Sequence, residues 1–190
     1  MLHHKAARQL NALARISRFL SPSSRMIIYK TVINSNFNYC PIVWHFCGKV
    51  NNGKMEKIQE RALRIIYRNY DIPYVDLLNV SGTNTMLNKR LRYILLNVFK
   101  SLKGMNAKCL NDMYAINPTT YSLRQPVKLV QPKRRTTSNG LKTVSYLGAK
   151  LWNDNSVLCN GLWKEDISTF RCMINDPNVD IITKPDFQYV

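Results

Sequence analysis

The sequence is poor in the residues that build catalytic centres. Its 190 residues include 11 aspartates and glutamates, and no two aspartates are adjacent. A two-metal nucleotidyl transferase needs several carboxylates clustered around its metals. The adjacent acids Glu165–Asp166 are explained by the first turn of a helix, where acidic side chains interact favourably with the helix dipole. We therefore expect no catalytic residue and no enzymatic activity from this chain alone.

Glycine and cysteine are also few. The 7 glycines form no phosphate-binding loop, and the 5 cysteines, an odd number at scattered positions, form no disulfide framework. Cys40, His45 and Cys47 lack the paired spacing of zinc ligands, and a free cysteine is often only a small buried hydrophobe. No apolar signal segment opens the sequence. We expect no metal, no cofactor and a reduced, intracellular environment.

Long hydrophobic runs are missing as well. The longest apolar-rich stretch, Met26–Phe46, is interrupted by Lys30, three asparagines and Pro41. A membrane-spanning helix needs about 20 predominantly apolar residues. We therefore expect no transmembrane segment and no membrane partner.

Positive charge and core-forming residues are abundant. There are 28 lysines and arginines, a formal net charge of +17 and a hydrophobic fraction of 45%. The hydrophobic fraction favours a folded core, and the charge favours nucleic acid or another anionic partner. Residues 1–70 hold 12 cations and 2 acids, and residues 121–152 hold 7 cations and no acid. The basic field is thus concentrated in two blocks.

Residues 51–70 combine two stripes that both follow helical spacing. The apolar stripe, which predicts a core-facing helix side, consists of Met55, Ile58, Ala62, Ile65 and Ile66. The row of cations beside it consists of Lys54, Lys57, Arg61, Arg64 and Arg68. Neighbouring like charges repel by about 0.2–0.5 kcal/mol per pair, and a bound polyanion would reverse this effect. The alternative is a solvated face whose side-chain stems cover the edge of the core.

Residues 5–20 repeat this design and predict a first amphipathic helix. Its apolar side consists of Ala6, Leu10, Leu13, Ile16 and Leu20, and another side carries the cations Arg8, Arg15 and Arg18. Ser21–Pro22 predicts the start of a second helix that Pro41 kinks or ends. A turn at 51–53 is expected before the third helix. A fourth helix is predicted from a cap at 83–85 to Gly104, with shorter helices at 74–80, 107–116, 141–152 and 165–174.

The stretch 121–139 differs from the rest. Pro126 and Pro132 stand among alternating apolar residues, so it predicts an extended basic linker or edge strands, with a flexible loop as the alternative. Its cluster Lys133, Arg134 and Arg135 adds to the candidate nucleic-acid-binding residues. We predict a mostly α-helical fold with a basic helical domain at 1–118, an extended basic segment with short helices at 119–174, and an acidic tail at 175–190.

Three runs, in this order, resemble the region that follows the palm in non-LTR (LINE-like, jockey-type) retrotransposon reverse transcriptases. The first is Tyr29–Ile33 with Asn38–Trp44, the second is Met55–Ile66, and the third is Tyr121–Arg124 with Gly140, Ser145–Tyr146 and Leu151–Asn153. The third run is similar to the family's C-terminal glycine–serine–tyrosine–tryptophan–asparagine module. The likeness spans about residues 5–174.

The resemblance implies a helical, thumb-like part that grips the backbone of a template–primer duplex of RNA, DNA or both, together with a C-terminal extension. The palm with its paired aspartates and the endonuclease are absent, and 154–156 departs from the family's leucine–proline. We expect a non-catalytic piece of a longer reading frame that works with the palm and fingers of its parent enzyme. The rival hypotheses are a helical adaptor for an acidic protein and a small hydrolase using His45 or Glu165.

Overall fold

The computed structural model describes residues 2–118, 127–133, 136, 142–176, 179 and 181. These residues are mostly helical and contain no named strand, which confirms the predicted fold class. The chain divides into two compact units, Met1–Leu87 and Asn88–Val190. The boundary lies inside a long helix, whereas the sequence places domain limits after residues 118 and 174. Those limits, which rest on composition, stay predictions.

Unit 1 contains α1, a 3₁₀ turn, α2, a π-helical turn, α3, α4, α5, α6 and the start of α7. Their bounds are Leu2–Ile16, Ser17–Phe19, Pro22–Ile28, Tyr29–Ile33, Ser35–Asn38, Pro41–Trp44, Lys49–Tyr67, Tyr74–Ser81 and Met86–Leu102. The described residues of unit 2 form the rest of α7 and the helices α8 to α11. They cover Lys108–Asn111, Val144–Asp154, Ser156–Gly161 and Ile167–Asn175.

Several helix ends lie where the local sequence predicts them. The Ser21 hydroxyl accepts a hydrogen bond from the Ser24 amide at 3.2 Å, so Ser21 is the N-cap of α2 and Pro22 its first residue. Gly82 and Gly104 follow α6 and α7 with φ of 57° and 71°. This left-handed conformation costs glycine little, and it ends both helices.

α1 and α5 lie side by side in unit 1 and point in the same direction. Near their N-termini, His3 lies within electrostatic range of Lys54. Near their C-termini, Arg68 Nη2 donates a hydrogen bond to the Ser17 carbonyl at 3.1 Å. The chain segment that connects α1 to α5 passes back along α1, where Asn36 Nδ2 donates to Gln9 Oε1 at 2.7 Å. The resulting bundle buries the apolar stripes of α1 and α5 in one core.

Two details of unit 1 differ from the prediction. Ile16 is 46% exposed, because it points about 90° away from the line of Ala6, Leu10 and Leu13, and the α-helix ends there. The turn expected at 51–53 is helical, since α5 begins at Lys49. The backbone amides of Asn51 and Asn52 donate to the Gly48 carbonyl at 2.9 and 3.2 Å, so Gly48 is the N-cap of α5.

Unit 2 has a core rich in aromatic side chains. Phe99 of α7 stacks on Phe170 of α11 with ring centroids 4.0 Å apart. Trp152 of α9 is fully buried against Phe170 and meets Trp163 edge-on. These contacts bring α7, α9 and α11 together, and the close packing is consistent with the preferred geometries of aromatic pairs.

Short elements of unit 2 also differ from the prediction. The helix expected at 107–116 covers only Lys108–Asn111, because Ile116 instead forms an antiparallel bridge with Leu129. This bridge is isolated, and no edge strand is named in the described part of 121–139. α10, which brings buried Cys159 into the core, was not predicted. Its apolar positions are too few to give a periodic pattern.

Candidate nucleic-acid interface

The cations of α5 lie on the side of the helix that faces away from the core. Lys54, Lys57, Arg61 and Arg68 are exposed, and Arg64 is half-buried. The row extends about 21 Å from Lys54 to Arg68, at a rise of about 1.5 Å per residue. The side opposite it carries the seven buried residues of α5. The sequence pattern therefore predicted correctly which residues of α5 point outward.

Arg64 has other partners. Its Nη2 lies 2.8 Å from Glu60 Oε1 in an ion pair one turn apart, and its Nη1 donates to the Tyr70 carbonyl. The pair partly neutralises the Arg64 charge, and the second contact fixes the chain after the helix. Lys57 and Arg61, in contrast, make no hydrogen bond or ion pair with any residue that the structure describes.

Glu56 does not screen the row, although it lies in the same helix. Its Oε2 accepts a hydrogen bond from the Tyr74 hydroxyl at 2.8 Å, and its Oε1 accepts one from the Leu87 amide at 3.0 Å. Burial, and then the Glu56 charge, raises the pKa of Tyr74, so the phenol stays protonated as the donor. Glu56 thus joins α5 to α6 and to the first turn of α7.

The α1 cations are also exposed. Arg8 and Arg15 face solvent, and the Arg18 guanidinium lies 4.6 Å from the centroid of the exposed Phe19 ring. Lys5, which is not among the cations predicted from the sequence, lies on this surface beside Arg8, and both line a shallow cavity of about 540 Å³. Its spacing of three residues from Arg8 was the available signal.

The two rows of cations lie close together at both ends. Arg68 binds the carbonyl of Ser17, the residue before Arg18. At the other end, loss of hydration, followed by His4 and then Lys54, lowers the pKa of His3. We call this surface the α1/α5 basic face. It consists of Lys5, Arg8, Arg15, Arg18, Lys54, Lys57, Arg61 and Arg68.

Three arginines that contribute to the net charge are buried. Arg25 is 4% exposed, and its Nη1 donates to the Ile65 carbonyl in the last turn of α5 at 2.7 Å. Arg92 is equally buried and donates to the carbonyls of Ile174, Asp176 and Val179 at the end of α11. Arg90 is 2% exposed. Composition alone therefore overstates the charge available to a ligand.

In unit 2 the predicted cation Lys133 is exposed, while Arg134 and Arg135 lie outside the described residues. Lys128, five residues earlier, is exposed too and was not among the candidates. The alternation of buried Val127 and Leu129 with Lys128 was the signal for its outward position.

The residues considered for metal binding or hydrolysis are dispersed. Cys40 is exposed, the Cys47 thiol donates to Asn52 Oδ1 at 3.3 Å, and buried His45 packs edge-on against Phe46. Glu165 is exposed. No group of three metal-binding side chains occurs within the described ranges.

None of the described helices combines the length and apolarity needed to cross a membrane. No protein-family model, no curated protein and no solved structure matches this chain.

Proposed function

We propose that the chain binds the phosphate backbone of nucleic acid through the α1/α5 basic face. In this proposal it is the thumb-like, non-catalytic C-terminal part of a retrotransposon reverse transcriptase, acting inside the cell beside the palm and fingers of the parent enzyme. The family assignment rests on the three runs of sequence likeness. The observation that carries the binding function is the exposed position of Lys57 and Arg61, with no partner among the described residues.

The dimensions of the face support a backbone ligand. A row of about 21 Å corresponds to about six phosphates of one strand of duplex DNA, which are spaced about 3.4 Å apart along the axis. The α5 cations recur at three- and four-residue steps along one helix, which suits a ligand with regularly spaced charges. Contacts of this type position a duplex without reading its sequence. We therefore expect similar affinity for unrelated sequences.

Counterion release gives the expected salt dependence. Four exposed cations on α5 release about four counterions, so the slope of log affinity against log salt is about −3.6 from this helix alone. Between about 50 and 200 mM salt, this slope corresponds to roughly a 150-fold loss of affinity. Arg64 is left out of this sum because Glu60 already neutralises part of its charge.

The test is a double substitution, Lys57→Gln with Arg61→Gln, measured by fluorescence anisotropy on a labelled duplex over a salt series. We expect the slope to flatten by about 1.8 for duplexes of any sequence. The helix should persist, because its buried stripe is unchanged. The matched control is Lys108→Gln with Lys164→Gln, which removes two exposed charges from unit 2 and should change the slope much less.

An adaptor for an acidic protein is the second candidate, and exposed apolar side chains favour it. Tyr39, Val43 and Val50 are 74%, 79% and 72% exposed, and they precede the cation row. Protein interfaces use such side chains at their centres. A wild-type slope in the double variant, with native helicity, would contradict backbone binding and favour the adaptor.

A further inference from the structure

A second candidate site lies in unit 2, around the extended segment 127–131. One side of this segment is hydrogen-bonded to the chain that follows α8. The Asn117 amide donates to the Lys128 carbonyl at 2.7 Å, and the Val130 amide donates to the Ala115 carbonyl at 2.9 Å. These bonds fix the backbone of the segment in an extended conformation. The N–H and C=O groups of Leu129 are therefore directed away from residues 115–117.

The end of α9 occupies that other side. The Asn153 side chain acts as a peptide group: its Oδ1 accepts from the Leu129 amide and its Nδ2 donates to the Leu129 carbonyl, both at 2.9 Å. The buried Trp152 indole donates to the Val127 carbonyl at 3.2 Å. Leu129 therefore offers no free edge to an added strand. Any ligand of this region must contact side chains.

Those side chains line an open surface cavity of about 480 Å³. Asn117 and Gln131 contribute two amides, Lys128 contributes a cation, Asp154 contributes a carboxylate, and Val130 contributes an apolar wall that is 45% exposed. One positive and one negative charge balance each other. The lining therefore does not favour a simple anion, and it suits a dipolar ligand with several hydrogen-bond donors and acceptors.

We propose that this cavity binds one unpaired nucleotide of a polynucleotide strand. The amides and Asp154 face the edge of the base, Val130 contacts its apolar surface, and Lys128 contacts a phosphate. Side-chain amides and carboxylates are the groups that recognise base edges, and unpaired bases expose these edges most fully. The proposal deepens the proposed function, on which it rests, by assigning unit 2 to the single-stranded part of a substrate.

The structure provides a preorganised site for this role. Asn153 and Trp152 are positioning residues, because they hold the backbone of 127–131. The Asn153 amide and the buried Trp152 indole are both engaged in these hydrogen bonds and are not offered to a ligand. Lys128 and Gln131 are exposed, so they can be replaced without disturbing a core. Lys108, which is also exposed and lies outside the cavity lining, is the matched control for Lys128.

The first experiment titrates the whole isotope-labelled chain with each nucleoside monophosphate and, separately, with inorganic phosphate. In amide-detected NMR spectra, we expect the nucleotides to shift the side-chain amide signals of Asn117 and Gln131 while phosphate leaves them unchanged. Equal shifts with phosphate, no shifts with any nucleotide, or shifts only with an acidic peptide such as polyglutamate would overturn the proposal.

The second experiment compares a single strand with a blunt duplex by fluorescence anisotropy. Lys128→Gln with Gln131→Ala should weaken single-strand binding about tenfold and change duplex binding less than about twofold. Lys108→Gln should weaken single-strand binding much less. An equal loss for both ligands would contradict a site for unpaired nucleotides.

The two proposals fail in different ways. If Lys57→Gln with Arg61→Gln leaves duplex binding unchanged while nucleotides still shift the Asn117 and Gln131 signals, the α1/α5 basic face is wrong and the cavity stands. If the duplex slope flattens and nucleotides do not shift the Asn117 and Gln131 signals, the proposal for the α1/α5 basic face stands and the proposal for the cavity is wrong.

Discussion

At the scale of single residues, the chain uses arginine in two distinct ways. Arg25 and Arg92 are buried and donate to backbone carbonyls in the last turns of α5 and α11. Those carbonyls have no partner within their own helix, and the negative end of the helix dipole favours a cation there. Arg61, in contrast, stays in solvent. The same residue type therefore stabilises helix ends in one place and remains exposed to solvent in the other.

Glycine shows a similar dependence on position. Gly148 of α9 is buried, and a Cβ atom there would lie 2.8 Å from Val98 Cγ2 and closer still to the Tyr114 hydroxyl. The Tyr114 hydroxyl donates to the Val144 carbonyl at 3.3 Å, and burial raises the pKa of Tyr114 to about 12. The phenol is held in place, so it cannot easily move away from an added methyl group.

Gly148→Ala should therefore destabilise unit 2. Overpacking of this kind costs about 1–3 kcal/mol, which corresponds to a fall in Tm of several degrees for a chain of this size. The measurement is a thermal melt followed by circular dichroism. Gly161→Ala is the control, because nothing lies within 4 Å of a Cβ at that position. An equal Tm for both variants would show that α9 can shift to accommodate the methyl group.

At the scale of helices, α5 organises unit 1 through both of its surfaces. Its apolar side packs against α1, α2 and α6, and Gln59 Nε2 donates to the Asn84 carbonyl at 2.8 Å. Glu56 caps the first turn of α7 by accepting from the Leu87 amide. An acid at a helix N-terminus satisfies an amide and interacts with the positive end of the dipole. α5 thus positions the start of α7.

Glu56→Gln tests this cap. The substitution removes the charge and one of two acceptor oxygens, so we expect a loss of about 1–2 kcal/mol in the free energy of unfolding. Glu60→Gln is the matched control on the same helix, where the partly exposed ion pair with Arg64 contributes less than about 1 kcal/mol. Both are measured by urea denaturation. If Glu60→Gln costs as much as Glu56→Gln, the cap contributes no more than the surface pair.

At the scale of the whole molecule, charge acts against folding and favours binding. With 11 acids for 28 lysines and arginines, the carboxylates are too few to neutralise the cations. A net charge of +17 makes the folded chain repel itself, and salt screens this repulsion over about 8–10 Å at about 0.10–0.15 M. Added salt should therefore stabilise the free protein while it weakens nucleic-acid binding.

We expect the Tm of the free chain to rise by a few degrees between about 50 and 300 mM NaCl, equivalent to roughly 1 kcal/mol. Thermal melts without nucleic acid make the measurement. The variant Lys57→Gln with Arg61→Gln, which has two fewer charges, should show a smaller rise. A Tm that falls with salt would mean that attractive ion pairs outweigh the net repulsion.

Local sequence was enough to predict the helical class, the start of α2, the ends of α6 and α7, and the outward side of α5. These features depend on local physics: the three- to four-residue spacing of Met55 to Ile66, the Ser21 cap, and the conformational freedom of Gly82 and Gly104. Each can be recognised within a few residues of chain. The cations Lys54, Lys57 and Arg61 followed from the same periodicity.

Only the tertiary structure shows which charges remain exposed and which side chains line the cavity of unit 2. Arg25 and Arg92 match exposed arginines in local pattern, and only the approach of a distant helix end buries them. Ile116 leaves its predicted helix because Leu129 pairs with it. The Asn153 side chain accepts a hydrogen bond from the Leu129 amide, which is 24 residues away in the chain. Partners so far apart leave no periodic signal, because hydrogen bonding and burial act in space.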